Sequence, residues 1–210
     1  DDLQALTTAQ LVTMTTAQMA ALTTDQVVAL TTDQAVSLET SQLAALTTAQ
    51  TATLETDDLQ ALTTAQLVAM TTAQMAALTT DQLVNVTTAQ LSNLKTAQVA
   101  AFTTAQVASL TTDQVGSLKT AQLAALTTAQ IVAIETDDLQ AMSTAQLVAL
   151  TTEQMPRLTT AQVVALTSDQ VSSLKTAQLA SLSTAQIAVI ETDDLVTLST
   201  AQIRGLTTAQ

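Results

Sequence analysis

The chain has 210 residues, of which 47% are apolar, so it can bury a continuous core. Its formal net charge of −13, with only five basic residues, excludes a surface that follows the phosphates of nucleic acid or of an anionic membrane. Histidine and cysteine are both absent, which excludes disulfides, cysteine-based zinc sites and the usual nucleophile–base pairs. We therefore expect neither an enzyme nor a cofactor-binding protein.

An eight-residue repeat runs from Asp1 to Gln210 without insertion or deletion, as twenty-six octads and two closing residues. Its consensus is A/D-Q-L-x-x-L-T-T, and we number its positions one to eight. A repeat this regular predicts a stack of small identical units, which we expect to form one continuous array over residues 1–210 of a longer protein. Thr and Gln interrupt every octad, so no apolar run reaches the ~18 residues of a membrane span, and no membrane insertion is expected.

Each octad is predicted to form a short helix. The main apolar positions, three and six, have opposite parity, and a strand would place them on opposite faces. They lie one helical turn apart, and Gln, Leu, Ala and Met all favour helix. One uninterrupted helix is excluded because eight residues advance about 80° beyond two full turns, so the apolar stripe would wind around the helix.

The Thr-Thr pair at positions seven and eight marks the break between helices. The pattern T-x-x-Q is a capping box, and Thr7 with Gln10 is its first instance. Position seven varies, with Glu or Lys in seven octads, whereas position eight is Thr everywhere except Ser168. Because the stricter position is expected to be the more constrained one, either residue of the pair is a candidate N-cap. Both registers give one helix of about two turns per octad.

These helices predict an all-α fold, a right-handed α-solenoid of short helices with one helix per octad. An isolated two-turn helix is unstable in water, so each must pack on its neighbours. An apolar period above 3.6 residues per turn predicts a right-handed coil. Positions three and six should line the core, and the small residues at position five should mark close approach of helices.

Larger spacings are superimposed on the octad. Residues 1–26 and 57–82 differ only at Thr13, which corresponds to Ala69, and the tetrad E-T-D-D recurs at 55–58, 135–138 and 191–194. The paired aspartates at 1–2, 57–58, 137–138 and 193–194 are thus spaced by 56, 80 and 56 residues. A recent duplication of a seven-octad block, with three extra octads in one copy, explains these spacings. The structural alternative is that seven octads make about a whole number of superhelical turns, which would place like clusters on one face. Pro156, at position four of its octad, predicts a local irregularity.

The tetrads are the only concentrations of charge, and they supply the only candidate metal ligands. Three carboxylates within four residues offer oxygens to Ca²⁺, but the tetrads lack the alternating spacing and the glycine of a calcium loop. Acids in a first helical turn also complement the helix dipole on a solvated face, and we prefer that explanation. The candidate ligands are Glu55, Asp57, Asp58, Glu135, Asp137, Asp138, Glu191, Asp193 and Asp194.

Position two is glutamine in every full octad except the four that contain Asp2, Asp58, Asp138 and Asp194. The amide is expected either to complete the capping box or to bond inward to the backbone of a neighbouring repeat. Such bonds would satisfy the helix ends that this fold exposes every eight residues. A ladder of amides that binds a ligand is the alternative.

The unit L-T-T-A-Q-L-x-A-L resembles degenerate octapeptide arrays in very large bacterial secreted or surface proteins, including haemagglutinin-like and adhesin-like ones. The resemblance covers essentially the whole chain. It implies an extracellular or cell-surface location and a structural role as a stalk, adhesin or matrix segment. A protein- or glycan-binding solenoid and a calcium-stabilised module are the alternatives, and self-association and a surface ligand both stay open as partners.

Overall fold

The fold, given by a computed structural model that describes residues 3–210, is built from short helices. These residues form twenty-four α-helices and one 3-10 turn, and they contain no strand. Each α-helix begins at position eight of one octad and ends at position three, four or five of the next. With four to six residues, the helices are somewhat shorter than two turns. The prediction of an all-α fold with one helix per octad is confirmed.

The helices fall into two compact units, and the boundary between them lies between Ser109 and Leu110. The octad phase continues through this boundary. The first unit contains α1 (Thr8–Val12), α2 (Thr16–Ala20), α3 (Thr24–Val28), α4 (Thr32–Ser37), α5 (Thr40–Ala45), α6 (Thr48–Ala52), α7 (Thr56–Ala61), α8 (Thr64–Ala69), α9 (Thr72–Ala77), α10 (Thr80–Val84), α11 (Thr88–Asn93), α12 (Thr96–Ala100) and α13 (Thr104–Ala108).

The second unit repeats the pattern with eleven α-helices and the 3-10 turn. They are α14 (Thr112–Ser117), α15 (Thr120–Ala125), α16 (Thr128–Ala133), α17 (Thr136–Ala141), α18 (Thr144–Ala149), the 3-10 turn Met155–Arg157, α19 (Thr160–Val164), α20 (Ser168–Ser173), α21 (Thr176–Ser181), α22 (Thr184–Ala188), α23 (Thr192–Leu195) and α24 (Thr200–Arg204). None of the helices in the described part of the chain has the length and apolarity of a membrane span.

Position seven is the N-cap of each α-helix. Thr7 has an extended backbone, with φ −68° and ψ 155°, and its hydroxyl accepts a hydrogen bond from the Gln10 N–H. In return, the Gln10 Oε1 accepts from the Thr7 N–H at 2.9 Å, which completes the capping box. The register with position seven as cap is therefore confirmed, and the one with position eight as cap is wrong.

Within each unit, a helix packs against the third helical element further along the chain, where the 3-10 turn counts as one element. In the first unit the pairs run from α1 with α4 to α10 with α13, and in the second unit from α14 with α17 to α21 with α24. Hydrogen bonds between turns join residues 28 to 31 apart, as from Gln74 to Leu46 and Leu43. One turn of the solenoid therefore takes between three and four octads.

This turn length bears on the 56-residue spacing in the sequence. Because the shorter bond of each pair spans 28 residues, seven octads correspond to about two turns. The structural explanation of the spacing is thus supported, and a gene duplication remains compatible with it. The right-handed sense of the coil rests on the eight-residue period and stays a prediction.

The core is formed by positions three and six, as predicted. Leu123, at position three, is fully buried, and Leu126, at position six, is 5% exposed. The single aromatic residue, Phe102, occupies position six and is also buried. Away from the first and last turns, the two positions together make a continuous interior within each unit, and it is apolar except at Thr51, whose hydroxyl donates to the Thr47 carbonyl.

Pro156 shows how tolerant the octad is. Pro156 replaces the α-helix of its octad with the 3-10 turn, as expected for a residue without an N–H. The core nevertheless continues, because Met155 is buried and Gln154 still donates to the carbonyl of Leu126 at 2.7 Å.

Close approach at position five is confirmed at Gly205, where an added Cβ would overlap the side chain of Thr176. It is not a general property of the fold. Asn85 and Arg157 occupy the same position with exposed side chains. At other octads, a small residue at position five often bonds locally instead, as when the Ser117 hydroxyl donates to the Gln114 carbonyl.

Candidate functional site

The buried glutamine at position two is the residue that joins one turn to the next. In Gln74, which is 1% exposed, Oε1 accepts from the Thr71 N–H at 2.7 Å. Its Nε2 donates to the carbonyls of Leu43 and Leu46, both at 2.8 Å. The sequence suggested two alternative roles for this amide, and it has both: Oε1 completes the capping box, and Nε2 bonds inward to the neighbouring turn.

The same contact recurs along the chain and forms what we call the glutamine ladder. In each case Nε2 donates to the carbonyl of position six, 28 residues earlier, at 2.6 to 2.9 Å. Because these amides are buried and occupied by backbone, they favour a structural role over a ligand-binding one. The donors are Gln34, Gln42, Gln50, Gln66, Gln74, Gln82, Gln90, Gln98, Gln106, Gln146, Gln154, Gln162, Gln170, Gln178, Gln186, Gln202 and Gln210.

The ladder explains why position seven varies although it is the N-cap. At Lys95 the side chain has no acceptor and cannot cap, but its backbone N–H still donates to Gln98 Oε1 at 2.9 Å. Glu39 keeps the same bond to Gln42 at 2.8 Å. The bond from the backbone N–H of position seven to glutamine therefore survives any residue except proline at position seven, provided that glutamine occupies position two.

The second aspartate of each tetrad departs from this pattern. It occupies position two, is buried, and accepts a hydrogen bond from the hydroxyl at position eight, 26 residues earlier, at 2.6 to 2.8 Å. The expectation that the tetrad acids lie on a solvated face is wrong for this residue, because from Gln34 to Gln202 position two is buried against the preceding turn. The three pairs are Asp58 with Thr32, Asp138 with Thr112, and Asp194 with Ser168.

An aspartate cannot replace the glutamine amide. A carboxylate accepts but does not donate, so the carbonyl of Leu30, 28 residues before Asp58, receives no amide of the ladder. The Oδ2 atom of Asp58 is buried and has no hydrogen-bond partner within residues 3–210. A buried polar atom without a partner carries a desolvation cost of about 1–3 kcal/mol, so this octad is a weak point in the stack.

Burial also changes the ionisation of these carboxyls. Desolvation raises the pKa of Asp58; the hydrogen bond from Thr32 opposes this shift, and the charge of Asp57 adds to it. The pKa of Asp138 is raised in the same way, first by burial and then by the charges of its neighbours Glu135 and Asp137, against the bond from Thr112. Folding therefore shifts the ionisation equilibrium of each carboxyl toward the neutral form, relative to the same carboxyl in the unfolded chain.

The other tetrad acids point outward. The carboxylates of each tetrad are split between the interior and the surface, so they do not converge on one point. Within residues 3–210, no group of three or more such side chains is placed to hold a metal ion. Calcium binding by the tetrads stays an untested alternative, and Asp2, which has the same place in the first octad, lies outside the described residues. The exposed acids are Glu55, Asp57, Glu135, Asp137, Glu191 and Asp193.

A surface depression lies beside Gly116, where position four lacks a side chain. Lys119, Thr120, Ser143 and Gln146 contribute polar groups to its lining. The amide of Gln146 already donates to the Gly116 carbonyl at 3.0 Å. The depression is therefore a consequence of one missing side chain in an otherwise regular surface.

The buried aspartates could have been found from the sequence. Position two is glutamine in almost every octad, and an amphipathic helix places one position on one face throughout an array. An aspartate at that position must face the same way as the glutamines. The partners Thr32, Thr112 and Ser168 could not be found, because the turn length of the solenoid sets which residues meet.

Short helices stacked turn upon turn, with an apolar core and a ladder of amides at fixed spacing, define a repeat protein of the α-solenoid class. The model of the ALTTAQ repeat family matches residues 1–32, 51–88, 86–120, 131–168 and 187–210, which is more than half of the chain. The chain therefore belongs to the ALTTAQ repeat family, and the prediction of an octapeptide repeat array is confirmed. No match to the chain was found among curated proteins.

Proposed function

We propose that this array is a structural scaffold segment of a secreted or cell-surface protein, in which the number of octads sets the length of a stalk, adhesin or matrix segment. The observation that carries the proposal is the glutamine bond across 28 residues, which recurs in nearly every turn. Because each octad uses the same contacts, octads can be added or removed without changing the rest of the stack.

The surface chemistry supports this role. The chain has eighteen acidic residues against five basic ones, and a net negative charge keeps an extended repeat protein soluble. The location at the cell surface or outside it is suggested by the resemblance of the octad to those of large bacterial surface proteins. The scaffold role does not depend on that location.

The length-setting role is tested by removing or duplicating residues 25–80, a block of seven octads that preserves the phase. Small-angle X-ray scattering should show equal and opposite changes in the maximum dimension of the two variants. The matched control is the double variant Ala65→Glu/Ala73→Glu, which changes the surface inside this block without changing its length. A maximum dimension that does not follow the number of octads would contradict the proposal.

The location is tested in the organism that encodes the chain. An antibody raised against the array should label intact cells or the culture medium, and protease added to intact cells should remove the label. A cytoplasmic protein of the same organism serves as the control for cell integrity. Labelling that requires permeabilised cells would overturn the surface location and leave the scaffold role standing.

A further inference from the structure

Three carbonyls of the preceding turn surround the amide nitrogen of the glutamines on either side of Asp58. In the octad before it, Nε2 of Gln50 donates to the carbonyls of positions three, four and six at 3.0, 3.5 and 2.6 Å. In the octad after it, the same three bonds from Gln66 measure 3.3, 2.9 and 2.9 Å. We call the carbonyls of positions three, four and six of one octad an oxygen cage.

The octad that faces Asp58 carries the same cage. Its carbonyls belong to Val27, Val28 and Leu30, which precede Asp58 by 31, 30 and 28 residues, the spacings of the flanking cages. The helix of this octad, α3, has the same extent as α2, which carries the preceding cage, and both end in a C-cap of right-handed helical conformation. The three carbonyls are therefore arranged as they are around a glutamine nitrogen, although the facing residue is an aspartate.

The Asp58 carboxylate lies against this cage. Its Oδ1 accepts from the hydroxyl of Thr32 at 2.7 Å, and Thr32 follows Leu30 by only two residues. Its Oδ2 is buried without a hydrogen-bond partner within residues 3–210, and the whole residue is 3% exposed. Because an aspartate side chain is one methylene shorter than that of glutamine, its oxygens do not reach the position of Nε2 in the flanking octads. Three carbonyl oxygens and one carboxylate oxygen therefore border that position.

No basic side chain within residues 3–210 balances this carboxylate. The pKa of Asp58 is shifted by burial, by the Thr32 bond and by the charge of Asp57, and no cationic group contributes. The first basic residue along the chain is Lys95, outside the segments 27–32 and 55–58. A buried charge is costly unless it is paired or bound to a cation. Because carbonyl oxygens also carry partial negative charge, the whole set of oxygens favours a cation as its ligand.

We propose that Asp58 Oδ2 and the cage carbonyls of Val27, Val28 and Leu30 bind a monovalent cation of the size of potassium or ammonium. The ion takes the place of the glutamine nitrogen and joins the same two turns. Its single charge balances the single carboxylate. Backbone carbonyls suit such an ion because they can replace the hydration shell of potassium. The site is independent of the scaffold role and of the cellular location.

The dimensions of the cage favour these ions over calcium and magnesium. The nitrogen–oxygen distances in the flanking cages run from 2.6 to 3.5 Å. Calcium lies only about 2.3–2.6 Å from its ligand oxygens, and magnesium about 2.0–2.1 Å. Calcium also takes about 6–8 oxygen ligands, and the exposed side chains of Glu55 and Asp57 are not available to the buried cage.

Thermal denaturation of the full chain at pH 7 tests the site. Potassium chloride and ammonium chloride are compared with tetramethylammonium chloride at equal ionic strength, because tetramethylammonium is too large for the cage and donates no hydrogen bond. The first two salts should raise the melting temperature saturably by about 2–4 °C, since an ion that binds only the folded chain stabilises it. Equal melting temperatures in all three salts would overturn the proposal, and they are the result expected if a water molecule bridges the same oxygens.

Substitutions assign the effect to Asp58. In the background Asp138→Gln/Asp194→Gln, Asp58 is the only aspartate at position two within residues 3–210, and this background should keep the potassium shift. Adding Asp58→Gln should abolish the shift while the chain stays folded, because the new amide fills the cage and the charge is lost. Adding Asp57→Gln, on the exposed neighbour, is the matched control and should retain the shift. A shift that survives Asp58→Gln, or that the background or the control already lacks, would refute the site.

Rubidium, which resembles potassium in size and scatters anomalously, locates the ion directly. Crystals of the chain grown in rubidium chloride should show an anomalous difference peak between Asp58 Oδ2 and the carbonyls of Val27, Val28 and Leu30. Crystals of the Asp58→Gln variant should lack this peak. A well-ordered cage without a peak, or a peak only beside exposed carboxylates such as that of Asp57, would contradict the assignment.

Discussion

A glutamine side chain at position two satisfies two kinds of backbone group at once. Its oxygen accepts a hydrogen bond from the backbone N–H at the start of its own helix. Its nitrogen donates hydrogen bonds to carbonyls of the previous turn, as Gln74 Nε2 does to Leu43 and Leu46. Both kinds of group lack a partner within their own helix, because every helix leaves about four N–H groups at its start and four C=O groups at its end without an intrahelical hydrogen bond. No other uncharged side chain of this length carries both an acceptor and a two-proton donor.

Replacing Asp58 with glutamine should stabilise the chain at pH 7. The new amide would accept from the Glu55 N–H and donate to the carbonyl of Leu30, which receives no amide of the glutamine ladder at present. The other glutamines of the ladder make the same two bonds. Removing a buried carboxylate and filling these bonds should raise the free energy of unfolding by about 1–3 kcal/mol. Chemical denaturation measures the change. Asp57→Gln, on the exposed neighbour, is the matched control and should have little effect.

The same residues predict a dependence of stability on pH. Because burial raises the pKa of Asp58 and Asp138 above that of the unfolded chain, the folded chain binds more protons. The free energy of unfolding should therefore fall as the pH rises from the unfolded pKa, about 3.9, through the raised folded pKa, and then level off. Thermal denaturation across this range should give a flatter profile for Asp58→Gln/Asp138→Gln. A profile unchanged by these substitutions would assign the dependence to general charge repulsion.

Calcium should not stabilise the chain specifically, because the tetrad acids are divided between the interior and the surface. A ligand that prefers the native state raises the melting temperature, so millimolar calcium is compared with magnesium and with matched ionic strength. Equal shifts are the expected result. A saturable shift for calcium alone, lost in Asp57→Asn/Asp58→Asn, Asp137→Asn/Asp138→Asn and Asp193→Asn/Asp194→Asn, would instead establish a calcium site.

At the scale of the helix, the sequence predicted the capping box but not which threonine caps. The variable position, seven, proved to be the cap, because the backbone N–H of that residue keeps its bond to glutamine even at Lys95. Position eight is the first helical residue, and within residues 3–210 its hydroxyl donates a side-chain hydrogen bond where it meets an aspartate, as at Thr32. Strict repetition at one position was therefore a poor guide to capping.

Restoring a capping side chain should strengthen a helix start. Lys95→Thr would supply the missing hydroxyl acceptor for the Gln98 N–H, as Thr103 does for Gln106. We expect a gain of about 0.5–2 kcal/mol in the free energy of unfolding. Chemical denaturation checks this value, with Lys95→Ala separating the effect of the lost charge from that of the new cap. Equal stability of the Thr and Ala variants would contradict the capping argument.

Helix packing predicts a large difference between positions five and six. Leu126 is buried at position six, so Leu126→Asp buries an unpaired charge and should destabilise the chain by more than about 3 kcal/mol. Ser117, at position five, is only half-buried, and Ser117→Asp should have a much smaller effect. Thermal denaturation distinguishes the two, and similar melting temperatures would show that position six does not face the core.

At the scale of the molecule, the sequence predicted a stack but not the length of its turn. The turn length depends on the angle between successive helices. That angle depends on the extended residues that join them, such as Leu126 with φ −60° and ψ 141° and Thr127 with φ −69° and ψ 158°. The 56-residue recurrence of the tetrad was an indirect sign of it. The partners in the ladder follow from the turn length, which is why single octads could not reveal them.

Because the ladder joins residues 28 apart, stability should appear only in chains longer than one turn. A peptide of residues 57–88 has four octads, but its glutamines at 66, 74 and 82 would lack their acceptors, which lie at 38, 46 and 54. Residues 25–88 contain all three bonds. Circular dichroism should show the shorter peptide largely unfolded and the longer one helical with a cooperative melting transition, since octads are stabilised by their neighbours.

The ladder itself can be separated from chain length in the longer peptide. Gln66→Glu/Gln74→Glu/Gln82→Glu in residues 25–88 retains every capping box, because glutamate also accepts at N3 and favours the helix dipole. Isolated helices would therefore be unaffected or slightly strengthened. The stack, however, loses its amide donors and places carboxylates against buried carbonyls such as that of Leu46, so the peptide should unfold. If its helicity and melting transition were unchanged, apolar packing alone would hold the turns together.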